Sequence, residues 1–247
     1  MAVVDEIDCS HCGAPIEFKP GEILATCKYC GYTSVIETGK AFTFEHSMLL
    51  NKFDPTQVEE PIRGWMSGGF LKPSDLAKES KIVEKNLVYL PFWVVSVEAK
   101  SSYKGIFERI TPAVVKEGKI EKEYNWLVLG RMATAFPTRE YDVPLEGKIP
   151  YDFKKIEAFA KVLNSEVDKE KALEISKQQI EEHHRFLIQE DVDKIIDMKT
   201  DVEVKQVVYL HAPIWFVKFE YKNSIYELLM DGTTGTAIKG DIPSSRF

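Results

Sequence analysis

Four cysteines constrain this chain more than any other feature. They stand in two identical pairs, Cys9-x2-Cys12 and Cys27-x2-Cys30, with fourteen residues between the pairs and no further cysteine in 247 residues. Two residues between paired cysteines allow a tight turn that aims both sulfurs at one point. Two such knuckles supply four thiolates to a tetrahedral ion, and the metal that suits this donor set is Zn2+. Four protein ligands fill the coordination sphere, so the site is structural rather than catalytic. About 35 residues cannot bury enough apolar surface to fold unaided, and metal binding is then expected to supply the folding energy.

The segment around the pairs reads as a zinc ribbon over residues 1–44. Cys12-Gly13 and Cys30-Gly31 each put a glycine where a knuckle needs positive φ. Pro15 to Phe18 and Ile23 to Thr26 predict a hairpin around Pro20-Gly21, and Tyr32 to Ile36 predict a third strand. His11, inside the first knuckle, is expected to be an exposed bystander beside four better ligands. Lys19, Lys28 and Lys40 are outnumbered by Asp5, Glu6, Asp8, Glu17, Glu22 and Glu37. A ribbon that grips phosphate needs basic charge, so this one is expected to face protein.

Composition carries the same message for the whole chain. A net charge of −7 argues against a general polyanion binder but leaves room for a local basic patch. The acidic start, Met1 to Glu6, is unlike a signal peptide. The most apolar stretch, Leu87 to Val97, is about half the ~20 residues a membrane helix needs and contains Pro91. A cytoplasmic protein without membrane insertion is expected, in a reducing compartment that leaves thiolates free for metal. Five Asn and five Gln in 247 residues suggest a thermophilic source.

Residues 73–165 and 166–247 read as two α+β halves of an internally duplicated body, behind a connector or hinge at 45–72. Val88-Tyr89-Leu90-Pro91-Phe92-Trp93 to Glu98 is echoed by Val208-Tyr209-Leu210 and Pro213-Ile214-Trp215 to Glu220. Alternating β-branched and aromatic residues predict strands in both copies. Lys104-Gly105 and Lys222-Asn223 are expected to be tight turns, and Asp231 to Gly235 a third. Trp93 and Trp215 are expected in the core, with Pro91 and Pro213 at strand starts or bulges. Helices are predicted over Pro55 to Trp65, from Ser74 or Asp75 as a cap, over Tyr151 to Leu163, and over Val167 to Gln189 with Leu173, Ile180, Leu187, Ile175 and Phe186 as its apolar set. Strands are predicted at Tyr124 to Arg131 and Thr134 to Tyr141. The fold class is therefore α+β: a zinc ribbon, then a duplicated body of helix plus antiparallel sheet.

These residues are similar to a family. The ribbon, then Tyr89 to Trp93 with Tyr103-Lys104-Gly105, then Pro213-Ile214-Trp215, Asp231 to Gly235 and Gly240 to Pro243, resemble the bacterial and archaeal TFIIB-type zinc-ribbon proteins that are often labelled primosomal-helicase-like. The resemblance implies the ribbon, its metal and the body's fold. It does not carry helicase chemistry to this chain, which has no G-x-x-x-x-G-K-[ST] loop.

No catalytic motif accompanies the metal. G-x-S-x-G, H-E-x-x-H and G-x-G-x-x-G are absent. His183-His184 is expected at the surface or partly buried, because neighbouring helical residues point about 100° apart. His46 and His211 stand alone, His211 as a local contact or a ligand. The expected function is a non-enzymatic adaptor that binds a protein partner or a second copy of itself, with no small-molecule substrate. The alternative is docking on ribosomal RNA, or on transcription or replication machinery, through Lys52, Arg63 and Lys72 or through Lys116, Lys119 and Lys122 in a central loop.

Overall fold

The computed structural model describes residues 5–19, 21–36, 45–132 and 134–243. Residues 1–4, Pro20 of the expected ribbon turn, and Glu37, Lys40 and Phe42 at the ribbon's expected end lie outside them. The described elements are β1 (Asp5–Asp8), β2 (Pro15–Phe18), β3 (Leu24–Thr26), β4 (Thr33–Val35), β5 (Glu45–Met48), α1 (Glu59–Ser67), α2 (Leu76–Glu79), β6 (Lys81–Phe107), β7 (Val114–Leu129), β8 (Ile149–Pro150), β9 (Lys161–Val162), α3 (Lys169–Asp191), β10 (Lys194–Tyr221), β11 (Ser224–Asp231) and β12 (Ala237–Gly240). This is a mixed α+β chain dominated by sheet. It divides into two compact units, one of Met1–Phe92, Leu129–Glu166 and Tyr209–Phe247, the other of Trp93–Val128 and Val167–Val208.

In the first unit the strand order is β12-β11-β10-β5-β8, with β6 beside β10 and β9. The β10–β11 ladder runs from Ile214↔Asp231 to Tyr221↔Ser224. It closes at Lys222 and Asn223, whose φ of 48° and 61° are those of the two-residue turn that matches strand twist. The 231–235 turn also forms, with Gly235 N–H donating to Asp231 O at 2.8 Å. One face of α1 repeats Val58, Ile62 and Met66 at helical spacing. It packs with Leu76 onto Leu87, Tyr89, Trp215, Val217, Phe219, Leu228 and Met230, all buried. Burial of each such side chain contributes about 1.5–3 kcal/mol. Trp215 is fully buried, and its indole N–H donates to Asn51 Oδ1 at 3.0 Å.

Several expected elements differ. Pro15–Phe18 pairs with β1, and Leu24–Thr26 pairs with β4, so the two hairpins turn at the cysteine knuckles instead of joining β2 to β3. The expected helix at Tyr151 to Leu163 is absent. Only a short 3-10 turn at Phe153–Lys155 forms, and Lys161–Val162 joins the sheet parallel to Val88–Tyr89. Here tertiary partners override helix propensity: Tyr151 N–H donates to His46 O and Leu163 N–H to Tyr89 O. Thr134 to Tyr141 forms no strand. Helix α1 starts at Glu59 rather than Pro55, because Asp54 Oδ1 accepts from Thr56 and Gln57 N–H and holds that stretch as a turn. Asp75 stands at the start of α2 without capping it; its carboxylate accepts from Tyr221 O–H at 2.7 Å. Pro91 and Pro213 lie inside β6 and β10, not at their starts. Each carbonyl accepts from a glycine N–H at 2.8 Å, Gly130 for Pro91 and Gly232 for Pro213.

The second unit holds α3 with parts of β6, β7 and β10. Asp168 caps α3 by accepting from Lys171 N–H at 2.7 Å. The buried stripe of this helix is Ala172, Ser176, Ile180, His184 and Ile188, whereas Phe186, expected in the core, is 61% exposed. His184 is fully buried, contrary to expectation, between Ser101 Oγ at 2.7 Å and Tyr124 Oη at 3.0 Å. Strand alternation places the charged groups on the opposite face: Lys100 pairs with Glu98 and Glu121, and Lys205 with Glu98 and Glu203. The stretch carrying Lys116, Lys119 and Lys122 is part of β7 and not a loop. Its charges sit on a strand whose ladder is satisfied by β6.

Lys104-Gly105 is also no turn, since β6 runs through it. Glycine is needed there for close approach: a Cβ would meet Val192 Cγ2 at 2.6 Å and Lys194 O at 2.8 Å. Gly105→Ala is therefore expected to destabilise the chain by about 1–3 kcal/mol. Urea denaturation checks this, and an unchanged midpoint would mean that the strands separate freely at this point.

Candidate metal centre

The two knuckles are built alike. Cys9 N–H donates to Ala14 O and Gly13 N–H to Cys9 O, both at 2.8 Å. In the second knuckle Cys27 N–H donates to Tyr32 O at 2.8 Å and Gly31 N–H to Cys27 O at 2.9 Å. Gly13 and Gly31 close the loops with φ of 71° and 76°, where a Cβ would be strained. Each knuckle sits at the tip of its own hairpin, so the two tips can present two sulfurs each to a common point.

They do so. The four Sγ atoms lie within 4.8 Å of one another, with Cys9–Cys30 at 3.6 Å and Cys12–Cys27 at 3.7 Å. A tetrahedral ion with metal–sulfur bonds of about 2.3 Å requires sulfur separations of about 3.8 Å. The donor set therefore fits a metal ion. Among the described residues no other group of three or more His, Cys, Asp or Glu side chains converges in this way. Cys9 and Cys27 are buried with Ile16 and Ala25, while Cys12 and Cys30 are exposed. His11 stays outside the sulfur cluster, stacked on Tyr32 at 5.2 Å between ring centres.

The thiols differ in how readily they ionise. Burial would raise Cys9, but amide hydrogen bonds from Cys12 and His11 outweigh it and bring the thiol down to about 7. Partial desolvation within the cluster, together with its contacts to Cys12, Cys9 and Cys27, pushes the otherwise exposed Cys30 thiol up to about 12, against a hydrogen bond from the Tyr32 amide. Without a cation, full ionisation of the quartet is opposed by mutual repulsion; a cation at its centre removes that cost.

The second hairpin is tied to the rest of the first unit in two ways that the sequence did not signal. One is a buried charge cluster. Arg131 Nη1 donates to Glu22 Oε1 at 2.8 Å and to Asn164 O at 3.0 Å, and Arg131 Nη2 donates to Glu166 Oε1 at 2.8 Å. Glu22 Oε2 accepts from Asn164 Nδ2 at 2.9 Å.

The other is a chain of side chains whose direction can be worked out. Leu163 O only accepts, so His211 Nε2 carries the proton it shares at 3.0 Å. A neutral His211 must then accept at Nδ1 from His46 Nε2, at 2.9 Å. His46 Nδ1 in turn accepts from Thr33 O–H at 2.9 Å, and Thr33 accepts from Thr26 O–H at 3.0 Å. Both imidazoles are neutral for a physical reason. Burial lowers His211 to about 4, and burial followed by repulsion from His211 holds His46 well below its usual value. His46 also stacks on Tyr151 at 4.1 Å.

Stability is expected to depend on pH through this pair. In unfolded chains His211 titrates near 6.5, so between pH ~6.5 and ~4 the unfolded state binds the extra proton. The folded state thus loses stability as pH falls through that window, by about 3 kcal/mol for His211 alone. The full contribution is present above pH ~6.5. The slope of unfolding free energy against pH, compared with that of His211→Gln, measures it; equal slopes would show that His211 does not titrate with folding.

The basic residues suggested for nucleic acid are scattered in role. Arg63 Nη1 donates to Ala77 O and Ser80 O at 2.6 and 2.8 Å, closing the end of α2. Lys72 Nζ donates to Trp65 O at 2.5 Å and lies 3.9 Å from the Trp65 ring centre. Lys116 pairs with Asp191 at 2.9 Å. Lys52, Lys119 and Lys122 are exposed, and odd and even positions place Lys119 and Lys122 on opposite faces of β7.

No helix among the described residues is long and apolar enough to cross a membrane. In comparison with known proteins, the chain matches no protein-family model, no curated protein and no solved structure.

Proposed function

We propose that this chain is a non-enzymatic adaptor braced by Zn2+ on Cys9, Cys12, Cys27 and Cys30, and that it binds a protein partner or a second copy of itself. The observation that carries the reading is the closure of the quartet: four thiolates converge on one point, and four thiolates complete the preferred coordination of zinc. Zinc bound there would supply cross-linking, holding two hairpins of three- and four-residue strands that are too short to persist alone. The acidic net charge of −7 favours a protein partner over a phosphate backbone. Strand β7 supports the same reading, because it is 16 residues long and its ladder partner among the described residues is β6. The outer stretch of such a strand, away from Trp126 and Leu127, is where another strand would add.

Native purification with metal analysis tests the proposal. One zinc per chain together with a stoichiometric protein partner or a self-associated state supports it. Recovery of a zinc-loaded monomer alone, under mild conditions, overturns the adaptor role.

A further inference from the structure

The hairpin β3–β4 is held at both ends. At its tip stand Cys27 and Cys30. Along its base Ile23 N–H and Leu24 N–H both donate to Ser165 O, at 2.8 and 3.0 Å, and Thr26 N–H donates to Asn164 Oδ1 at 3.2 Å. Leu24 and Ala25 are fully buried. Beneath them runs the chain Thr26–Thr33–His46–His211–Leu163, in which every proton has a determined place. A chain of this kind is cooperative. Removing Thr33 leaves His46 Nδ1 an acceptor without its donor, while Leu163 O still holds both rings as Nε2–H tautomers.

We propose that β3–β4 is a metal-set strap: a metal on the four cysteines keeps it closed over the Asn164–Ser165 segment and the His46–His211 pair, and metal loss opens it. The physical reason is the division of labour along the hairpin. Its ladder spans only Leu24↔Val35 to Thr26↔Thr33, so the turn end rests on the two knuckle hydrogen bonds and the metal. Once the turn end frays, Thr33 leaves His46. His46 Nδ1 is then left without its donor, Ser165 O loses the Ile23 and Leu24 amides, and Asn164 Oδ1 loses the Thr26 amide. Metal occupancy is thereby reported at His46 Nδ1. The inference rests on the metal reading given above.

The test uses the full chain, with zinc or cobalt as the probe. Metal content and the cobalt–thiolate absorption establish whether the quartet binds, independently of the strap. Long-range proton–nitrogen NMR reads the histidine tautomers, and hydrogen exchange reads the Leu24 and Thr26 amides. In the loaded protein both His46 and His211 are expected as neutral Nε2–H tautomers. Stripping the metal is expected to lower protection at Leu24 and Thr26 by about 100-fold or more while the β10–β11 amides stay protected. Thr33→Val keeps all four cysteines. It should still bind metal, shift the His46 Nδ1 resonance as its hydrogen bond is lost, and cut Leu24 protection about ten-fold, the worth of one hydrogen bond. Failure to bind metal overturns the metal reading itself. Binding with an unchanged His46 Nδ1 resonance and unchanged protection on stripping, or an unchanged His46 Nδ1 resonance in Thr33→Val, overturns the strap alone.

Discussion

Cys27→Ser is expected to abolish tight metal binding and to unfold the two knuckle hairpins. Cys27 is fully buried, within 3.7 Å of Cys12 Sγ, and its sulfur also accepts from Tyr29 N–H at 3.4 Å. A hydroxyl is neither a thiolate nor long enough to take its place. Structural zinc contributes about 10–16 kcal/mol to small domains of this kind. Losing one of four ligands forfeits several kcal/mol of that, more than the margin by which short hairpins fold. Metal stoichiometry and limited proteolysis within residues 5–36 provide the check. A variant that keeps its metal and its protease resistance would show that three sulfurs suffice and that the hairpins fold by packing alone.

Arg131→Ala is the second large effect. Glu22 and Glu166 have side chains only 4% and 14% exposed, and Arg131 is the cation between them. Removing it leaves two buried carboxylates with their amide hydrogen bonds but no counter-charge from Arg131, a situation that costs about 3–5 kcal/mol. Urea denaturation measures the loss. Combining Arg131→Ala with Glu22→Gln and Glu166→Gln is expected to recover most of it, because neutral amides need no counter-charge. If the triple variant is as unstable as the single one, the loss comes from packing of the arginine stem and not from charge.

The parts that were legible in the sequence share one property: their signal is local. Cys9-x2-Cys12 followed by Gly13 describes a knuckle within five residues, and the cysteines duly converge. Asp168 before a long helical pattern describes a cap within three residues. Lys222-Asn223 describes a turn within two. Trp93 and Trp215 are core residues because alternation along their own strands already says so.

The misread parts share the opposite property. Lys104-Gly105 has the composition of a turn, yet its glycine answers to Val192 and Lys194, nearly ninety residues away. Tyr151 to Leu163 has helical spacing, yet its amides are claimed by His46 and Tyr89. His46 and His211 looked solitary because 165 positions separate two rings that share a hydrogen bond.

The amino-acid sequence by itself determined the metal donor set, the knuckle geometry and the alternation of the long strands, since each depends on covalent neighbours and short-range sterics. Only the tertiary structure decided that the second hairpin is bound to Arg131, Asn164 and the histidine pair. That decision rests on desolvation. Burying Glu22, His46 and His211 is tolerable only where partners from distant segments meet them, and no local pattern encodes where those partners will be.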